Sequence, residues 1–145
     1  MNHSVLEKCY LFKNASADDL DAVLRIAEKK QALRGDTIFL SGSDADALFI
    51  ILSGTVSTTI RDHEHAVVTV GPGQIFGDVP FFCAEKRGAT AAAKEVTEYL
   101  SIAYADLNAL LDKNASLSAL VHRNAAAFFS RLSGRLSAEL QRPFA

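Results

Sequence analysis

The sequence predicts a mainly β protein with flanking helices (α+β), in which an antiparallel double-stranded β-roll of the jelly-roll type lies between an N-terminal helix and a long C-terminal helix. Three observations predict this class. Residues 31–104 contain short runs of β-branched and aromatic residues divided by turn signals, the pattern of an all-β roll. Residues 16–30 place apolar side chains on one helical face, and residues 105–140 do the same.

The predicted N-terminal helix covers about residues 16–30. Ser16 is a favourable N-cap residue, and the acidic residues that follow it suit the partial positive charge of a helix N-terminus. The apolar face consists of Leu20, Val23, Leu24 and Ala27. Cap, charge and periodicity therefore all indicate one helix.

Turn signals divide the middle of the chain into short strands. The turns are Arg-Gly-Asp at 34–36, Ser-Gly-Ser-Asp at 41–44, Ser-Gly-Thr at 53–55 and a polar run at 61–65. Later strands are predicted at 66–70, 89–94 and 99–104. This spacing of strands and turns is typical of a roll.

The chain beyond residue 104 is predicted to be helical. A short helix is expected at 106–111, and Asn114 or Ser116 can cap the helix that follows. That second helix carries a long apolar stripe made of Leu117, Leu120, Val121, Phe128, Leu132, Leu136 and Leu140. Because a small roll cannot cover so long a stripe, we expect a homodimer through this helix; the alternative is that the stripe packs on its own roll.

Length, composition and charge limit the classes of function. The 145 residues fit one domain, expected to span 1–145, with 49% apolar and 22% charged residues as in ordinary globular proteins. A net charge of −2 argues against a nucleic-acid surface, so no nucleic acid is expected to bind this chain alone. Neither a signal peptide nor an apolar span of membrane length is evident, so we expect a cytoplasmic protein without membrane contact.

Residues 71–90 combine the parts needed to hold a small phosphate ester. Three glycines that precede the acid, Gly71, Gly73 and Gly77, allow tight turns that expose backbone N–H groups. Asp78 and Pro80 stand where a helix would begin, and unpaired N–H groups at such an end attract anions. Arg87 follows nine residues after the acid and can bind two phosphate oxygens, while Gly88 and Ala89 leave room for a ligand.

These residues resemble a known cassette. The run Phe76-Gly77-Asp78-Val79-Pro80, followed by Arg87-Gly88-Ala89-Thr90, is similar to the phosphate-binding cassette of cyclic nucleotide-binding domains, and its acid-to-arginine spacing is the same. Such domains occur in catabolite-activator-type regulators, protein kinase A regulatory subunits and cyclic-nucleotide-gated channels. Residues 33–56 resemble the first strands of the same β-roll, and the resemblance extends from about Leu11 to about Leu140.

The resemblance implies a role for each cassette residue. The cyclic phosphate would lie on the N–H groups after Gly77, with Arg87 on its exocyclic oxygens and Asp78 accepting the ribose 2′-hydroxyl. Gly88 stands where a Ser or Thr hydroxyl assists recognition of guanine, which favours cAMP over cGMP as the ligand. The expected ligand-binding residues are Phe76, Gly77, Asp78, Val79, Pro80, Arg87, Gly88 and Ala89.

Two residues depart from the pattern of the family. Most members have Glu where this chain has Asp78, and Pro80 stands where a backbone N–H often donates to the phosphate. A second hypothesis therefore remains, in which a degenerate domain keeps the fold as a ligand-free dimerisation and interaction module. In that case Arg87 would be solvated, or paired with Glu85 or Glu95.

The first hypothesis is a regulatory sensor rather than an enzyme. Cyclic nucleotide would reposition the C-terminal helix, and an unknown downstream protein would read the change. A third possibility is that the chain is the sensor half of a larger DNA-binding transcription regulator. No arrangement typical of a catalytic site is evident, and the cassette binds its ligand without transforming it.

Metal and haem sites are disfavoured. His63 and His65 flank Glu64 in a polar turn where side chains are usually solvated, and no third ligand is evident. Cys83 is expected to be a small apolar filler and His122 a surface residue, rather than haem ligands. We therefore expect no metal and no cofactor besides the nucleotide ligand.

Overall fold

The protein is described by a computed structural model, which covers the backbone of residues 3–60 and 63–140 and the side chains of residues 3–60 and 67–134. Helices lie before, within and after the strands. They are α1 (His3–Lys8), a 3-10 turn (Tyr10–Phe12), α2 (Ala17–Ile26), α3 (Val79–Cys83), α4 (Tyr104–Lys113) and α5 (Ala115–Leu140). None of these described helices combines the length and hydropathy needed to cross a bilayer.

The strands form two four-stranded antiparallel sheets. The strands are β1 (Ala27–Ala32), β2 (Thr37–Phe39), β3 (Ala47–Ser53), β4 (Val56–Ile60), β5 (His63–Val70), β6 (Ile75–Phe76), β7 (Ala89–Ala93) and β8 (Thr97–Ala103). Their order is β1-β8-β3-β6 in one sheet and β2-β7-β4-β5 in the other. The predicted antiparallel β-roll between an N-terminal helix and a long C-terminal helix is confirmed.

The prediction of a helix over 16–30 was wrong at its C-terminal end. Ser16 caps α2 as expected, since its hydroxyl accepts from the Asp19 N–H at 3.1 Å, but the helix ends at Ile26. Residues Ala27–Ala32 form β1, which pairs with β8 along its whole length. Their sequence, Ala-Glu-Lys-Lys-Gln-Ala, has high helix propensity. The ladder to β8 outweighs that local preference, because sheet pairing depends on tertiary context.

The run of apolar residues in β3 is explained by burial on both of its faces. Leu48 and Ile50 face a cluster formed with the helices, whereas Phe49 and Ile51 face the interior of the roll. The helix-facing cluster also contains residues from the N-terminal segment, for which no element had been predicted. Its fully buried members outside β3 include Leu6, Leu11, Val23, Leu107, Leu117 and Val121.

Helix α5 begins on the protein's own core. Asn114 caps it, accepting from the Leu117 N–H at 3.1 Å, which selects Asn114 from the two predicted caps. Leu117 and Val121 are buried, whereas Leu132 is 44% exposed. The side chains of Leu136 and Leu140, which belong to the predicted stripe, lie outside the described residues. The homodimer through α5 stays a prediction.

Candidate functional site

Gly77 forms the turn between β6 and α3, where both its backbone conformation and its close neighbours favour glycine. Its φ is +76°, in the left-handed region that favours glycine. A Cβ at this position would lie 2.7 Å from Nη1 of Arg87 and 3.1 Å from the ring of Phe49. The glycine therefore allows both the turn and the close approach of the arginine.

Arg87 is buried, with 4% of its surface exposed, and donates to three different parts of the fold. Nη1 lies 3.0 Å from the carbonyl oxygen of Gly77 and 3.3 Å from the hydroxyl of Tyr104, and Nη2 lies 2.7 Å from the carbonyl oxygen of Ala47. Its backbone is fixed by the loop before β3, through the N–H of Gly42 at 2.7 Å and the carbonyl of Ser43 at 2.9 Å. The guanidinium thus has a defined position.

Aromatic rings surround the guanidinium. Its Cζ lies 4.1 Å from the ring centroid of Phe39, 5.5 Å from that of Phe49 and 5.9 Å from that of Tyr104. Rings at these distances attract a cation through their negative faces, but they do not neutralise its charge. The first two rings belong to the cluster inside the roll or pack against it.

No carboxylate among the described residues pairs with Arg87. The ion pairs found there join His3 to Asp21, Lys29 to Glu98 and Lys86 to Asp44. Glu95, one of the two partners considered above, instead accepts from the Thr55 hydroxyl at 2.8 Å. The Nε of Arg87 is buried without a hydrogen-bond partner in the described part of the chain. A buried cation with neutral partners and an unsatisfied donor is the environment in which an anion binds favourably.

Asp78 is the second buried charged residue of the cassette, with 7% of its surface exposed. It occupies the N-cap position of α3, but its side chain does not cap the helix. Its Oδ2 accepts a hydrogen bond from the hydroxyl of Tyr10, which lies 68 residues earlier in the chain. Burial raises the pKa of Asp78, and the hydrogen bond from Tyr10 opposes that shift.

Two tyrosines complete the site, and neither was predicted as a site residue. Tyr104 was predicted to end a strand, but it begins α4, and its hydroxyl donates to the carbonyl of Gly77. Burial raises the pKa of Tyr104, while the nearby cation of Arg87 opposes the rise. Burial and the neighbouring Asp78 raise the pKa of Tyr10. Only contacts between distant segments reveal these two residues, so no local motif could have identified them.

The other predicted site residues occupy different environments. Phe76 is buried against the ring of Phe49, with centroids 5.1 Å apart, and Pro80 is buried in α3. Val79 is 51% exposed. Gly88 is exposed, with open space where a Cβ would lie, and Ala89 is half-buried at the start of β7. Of the predicted set, Gly77 and Arg87 are in direct contact through the hydrogen bond from Nη1, and Asp78 follows Gly77 in the chain.

A cleft of about 540 Å³ lies beside Tyr104, whose hydroxyl contacts Gly77 and Arg87. Pro80 and Tyr104 contribute to its wall, together with Asp44, Ala45, Phe81, Ala84, Glu85, Lys86 and Asn108. It is therefore bounded by α3, by the start of α4 and by the loop before β3. Two of these lining residues form an ion pair, in which Nζ of Lys86 lies 2.8 Å from Oδ1 of Asp44.

The residues considered for metal or haem have ordinary environments where they are described. Cys83 is exposed and its thiol donates to the carbonyl of Val79 at 3.2 Å, so its prediction as an apolar filler was wrong. His122 is exposed on α5, as expected, with Nδ1 2.7 Å from the Ser118 carbonyl oxygen. The side chains of His63, Glu64 and His65 lie outside the described residues. The described residues contain no group of three or more potential metal ligands.

Residues 29–114, more than half of the chain, match the family described as the cyclic nucleotide-binding domain. The Cyclic AMP receptor protein of Thermus thermophilus is 30% identical over 124 residues, which cover 83% of this chain and 56% of that protein. The crystal structure of the T. thermophilus Catabolite Activator Protein has a TM-score of 0.78 at 28% identity, over 90% of this chain and 61% of the other. The regulatory domain of Toxoplasma gondii PKA with cAMP has a TM-score of 0.67 at 26% identity, over 73% of this chain and 41% of the other. The chain thus spans just over half the length of the receptor protein.

Proposed function

The chain belongs to the cyclic nucleotide-binding domain family, and from this premise we propose that it is a regulatory sensor that binds cAMP in preference to cGMP. The observation that carries the proposal is the buried guanidinium of Arg87, which lacks a carboxylate partner among the described residues and keeps Nε unpaired. Desolvating a cation is costly unless an anion offsets the cost. A cyclic phosphate diester would supply that anion.

The hydrogen bonds of Arg87 leave a fixed part of the guanidinium for the phosphate. A guanidinium has five N–H groups. Three donate to Gly77, Tyr104 and Ala47, so one on Nε and one on Nη2 stay available. Two N–H groups on neighbouring nitrogens can bind two oxygens of one phosphate. Backbone N–H groups after Gly77 would hold the other side of the ligand.

Recognition of the ribose is assigned to Asp78, and recognition of the base to Gly88. The carboxylate of Asp78 would accept the ribose 2′-hydroxyl, as the resemblance of the cassette implies. Gly88 supplies no hydroxyl for guanine, and this supports cAMP as the preferred ligand. The chain would bind the nucleotide without transforming it.

The signal would pass from the cassette helix to α5. Phe82 in α3 contacts α5 through the rings of Phe129 and His122, with centroid distances of 6.0 and 5.9 Å. A ligand that moves α3 would therefore change the packing of α5. We expect α5 to form a homodimer and an unknown downstream protein to read its position.

Calorimetric titration with cAMP and cGMP tests this function. We expect micromolar binding of cAMP and weaker binding of cGMP. Arg87→Gln should weaken cAMP binding about 100-fold, because it removes a charge-assisted contact with the phosphate. Arg34→Gln, which removes an exposed arginine from the turn before β2, is the matched control and should bind like the wild type. Thermal unfolding of both variants would show whether each is folded.

One observation favours the second candidate, a ligand-free interaction module. Asp78 already accepts from Tyr10, and Pro80 supplies no N–H in the first turn of α3. Absence of heat and of a thermal shift at millimolar cAMP and cGMP would support this module and refute the sensor. The match covers 56% of the receptor protein, which fits a third candidate, the sensor half of a larger DNA-binding regulator. The coding sequence beyond residue 145 is the test of that candidate.

A further inference from the structure

The hydrogen bond between Tyr10 and Asp78 joins the cassette to the N-terminal segment. Tyr10 belongs to the 3-10 turn, which precedes every strand of the roll. Its hydroxyl donates to Oδ2 of Asp78, whose side chain does not cap its own helix. The carboxylate is therefore oriented by a residue from outside the cassette.

Tyr10 is itself held firmly. Its ring stacks on Phe128 with centroids 4.0 Å apart at an angle of 11°, and lies edge-on to Phe129 at 6.4 Å. The amide of Asn124 in α5 donates to the carbonyls of Leu11 and Lys13 at 3.0 and 2.9 Å, which fixes the turn on the helix. The hydroxyl of Tyr10 consequently has little freedom to move.

The chemistry of a carboxylate allows it to accept from Tyr10 and from a second donor together. A carboxylate offers about four lone-pair sites on two oxygens, and the tyrosine uses one of them on Oδ2. A buried acid becomes neutral more readily, and a hydrogen bond to its charged form opposes this. A donor fixed on one oxygen therefore keeps the other oriented as an acceptor.

We propose that Tyr10 is a positioning residue of the nucleotide site, which holds Asp78 so that its carboxylate selects a ribose over a 2′-deoxyribose. This inference rests on the proposed function, because it needs the nucleotide to lie in the cassette. Tyr10 would act only through Asp78, without touching the phosphate. Removing its hydroxyl should then affect discrimination of the sugar and leave the phosphate contact intact.

The test compares cAMP with its 2′-deoxy analogue by calorimetry on the wild type, on two single variants and on one double variant. Tyr10→Phe keeps the ring and its stacking while removing the hydroxyl. Tyr99→Phe is the matched control. It removes a phenol hydroxyl from a residue of β8, and the ring of Tyr99 packs inside the roll. We expect Tyr10→Phe to weaken cAMP binding about tenfold and to change binding of the 2′-deoxy analogue less than about twofold. Tyr99→Phe should leave the ratio of the two affinities unchanged.

The outcomes separate this inference from the function it rests on. An unchanged ratio of the two affinities in Tyr10→Phe, with or without weaker binding of both ligands, would refute the role of Tyr10 while the sensor stands. Tighter cAMP binding by this variant would do the same. Failure of the wild type to bind either ligand would refute the sensor and the role of Tyr10 with it. Loss of discrimination in Tyr10→Phe, with no further loss when Asp78→Asn is added, would establish the positioning role.

Discussion

The two sides of β3 serve different purposes although both are buried. Leu48 and Ile50 face the hydrophobic cluster that the helices form with β8. Phe49, one residue along, faces the roll interior, where the guanidinium of Arg87 lies 5.5 Å from its ring. On the helix side, the buried aliphatic side chains stabilise the fold through the hydrophobic effect. The roll side contains a buried cation, and the Nε of Arg87 has no hydrogen-bond partner in the described part of the chain.

The largest expected effect on stability belongs to the helix side. Leu117→Ala deletes a fully buried side chain of α5, and should lower the free energy of unfolding by about 2–5 kcal/mol. Leu132→Ala makes the same change on the same helix at a side chain that is 44% exposed, and should cost less than about 1 kcal/mol in the monomer. Urea unfolding measures both. A cost for Leu132→Ala that matches Leu117→Ala and grows with protein concentration would mean that a second copy covers α5.

Asp78→Asn should have a smaller effect on the free energy of unfolding, which it should raise at pH 7. Burial raises the pKa of Asp78 above its ordinary value of 3.8, so the ionised carboxylate destabilises the folded protein. The protonated form of Asp78 makes a favourable contribution to the free energy of unfolding. This contribution is complete below pH 3.8 and is lost as the pH rises through the folded pKa. The variant should therefore be more stable than the wild type at pH 7, and this advantage should shrink as the pH falls towards 4.

Urea unfolding of both proteins at pH 7 and pH 4 measures this difference. Asp106→Asn, at an exposed acid in the first turn of α4, is the control and should not stabilise the protein at pH 7. Asp78→Asn should also weaken cAMP binding about tenfold. A variant that is less stable than the wild type at pH 7 would show that the carboxylate is a structural group, which would remove the distinction between the two sides of β3.

The smallest effect is expected for Gly88→Ser. A Cβ at Gly88 would contact nothing within 4 Å, so the free energy of unfolding should change by less than about 0.5 kcal/mol. The added hydroxyl should shift the ratio of cGMP to cAMP affinity about fivefold towards cGMP. Gly88→Ala adds the Cβ without the hydroxyl and is the control. An equal shift in both variants would mean that steric contact, not hydrogen bonding, selects the base.

Whether a sequence prediction was correct depends on how far apart in the chain the interacting residues lie. The cap of α2 was predicted correctly, because a serine hydroxyl and an N–H three residues later are neighbours in any helix. The end of that helix was not, because Ala27–Ala32 pairs with a strand about seventy residues later. Tyr10 was missed for the same reason, since its partner lies 68 residues away.

The amino-acid sequence alone predicts the β-roll between helices and the sharp turn at Gly77, and its resemblance to a known cassette identifies Asp78 and Arg87. The roll and the turn follow from local preferences of glycine, β-branched residues and apolar periodicity, which act over a few neighbouring residues. The contacts of Arg87 with Phe39 and Phe49, and of Tyr10 with Asp78, arise from the packing of distant segments and are seen only in the folded protein. Burial and hydrogen bonding between distant segments exist only once the chain has packed, because each depends on which surfaces lose contact with water.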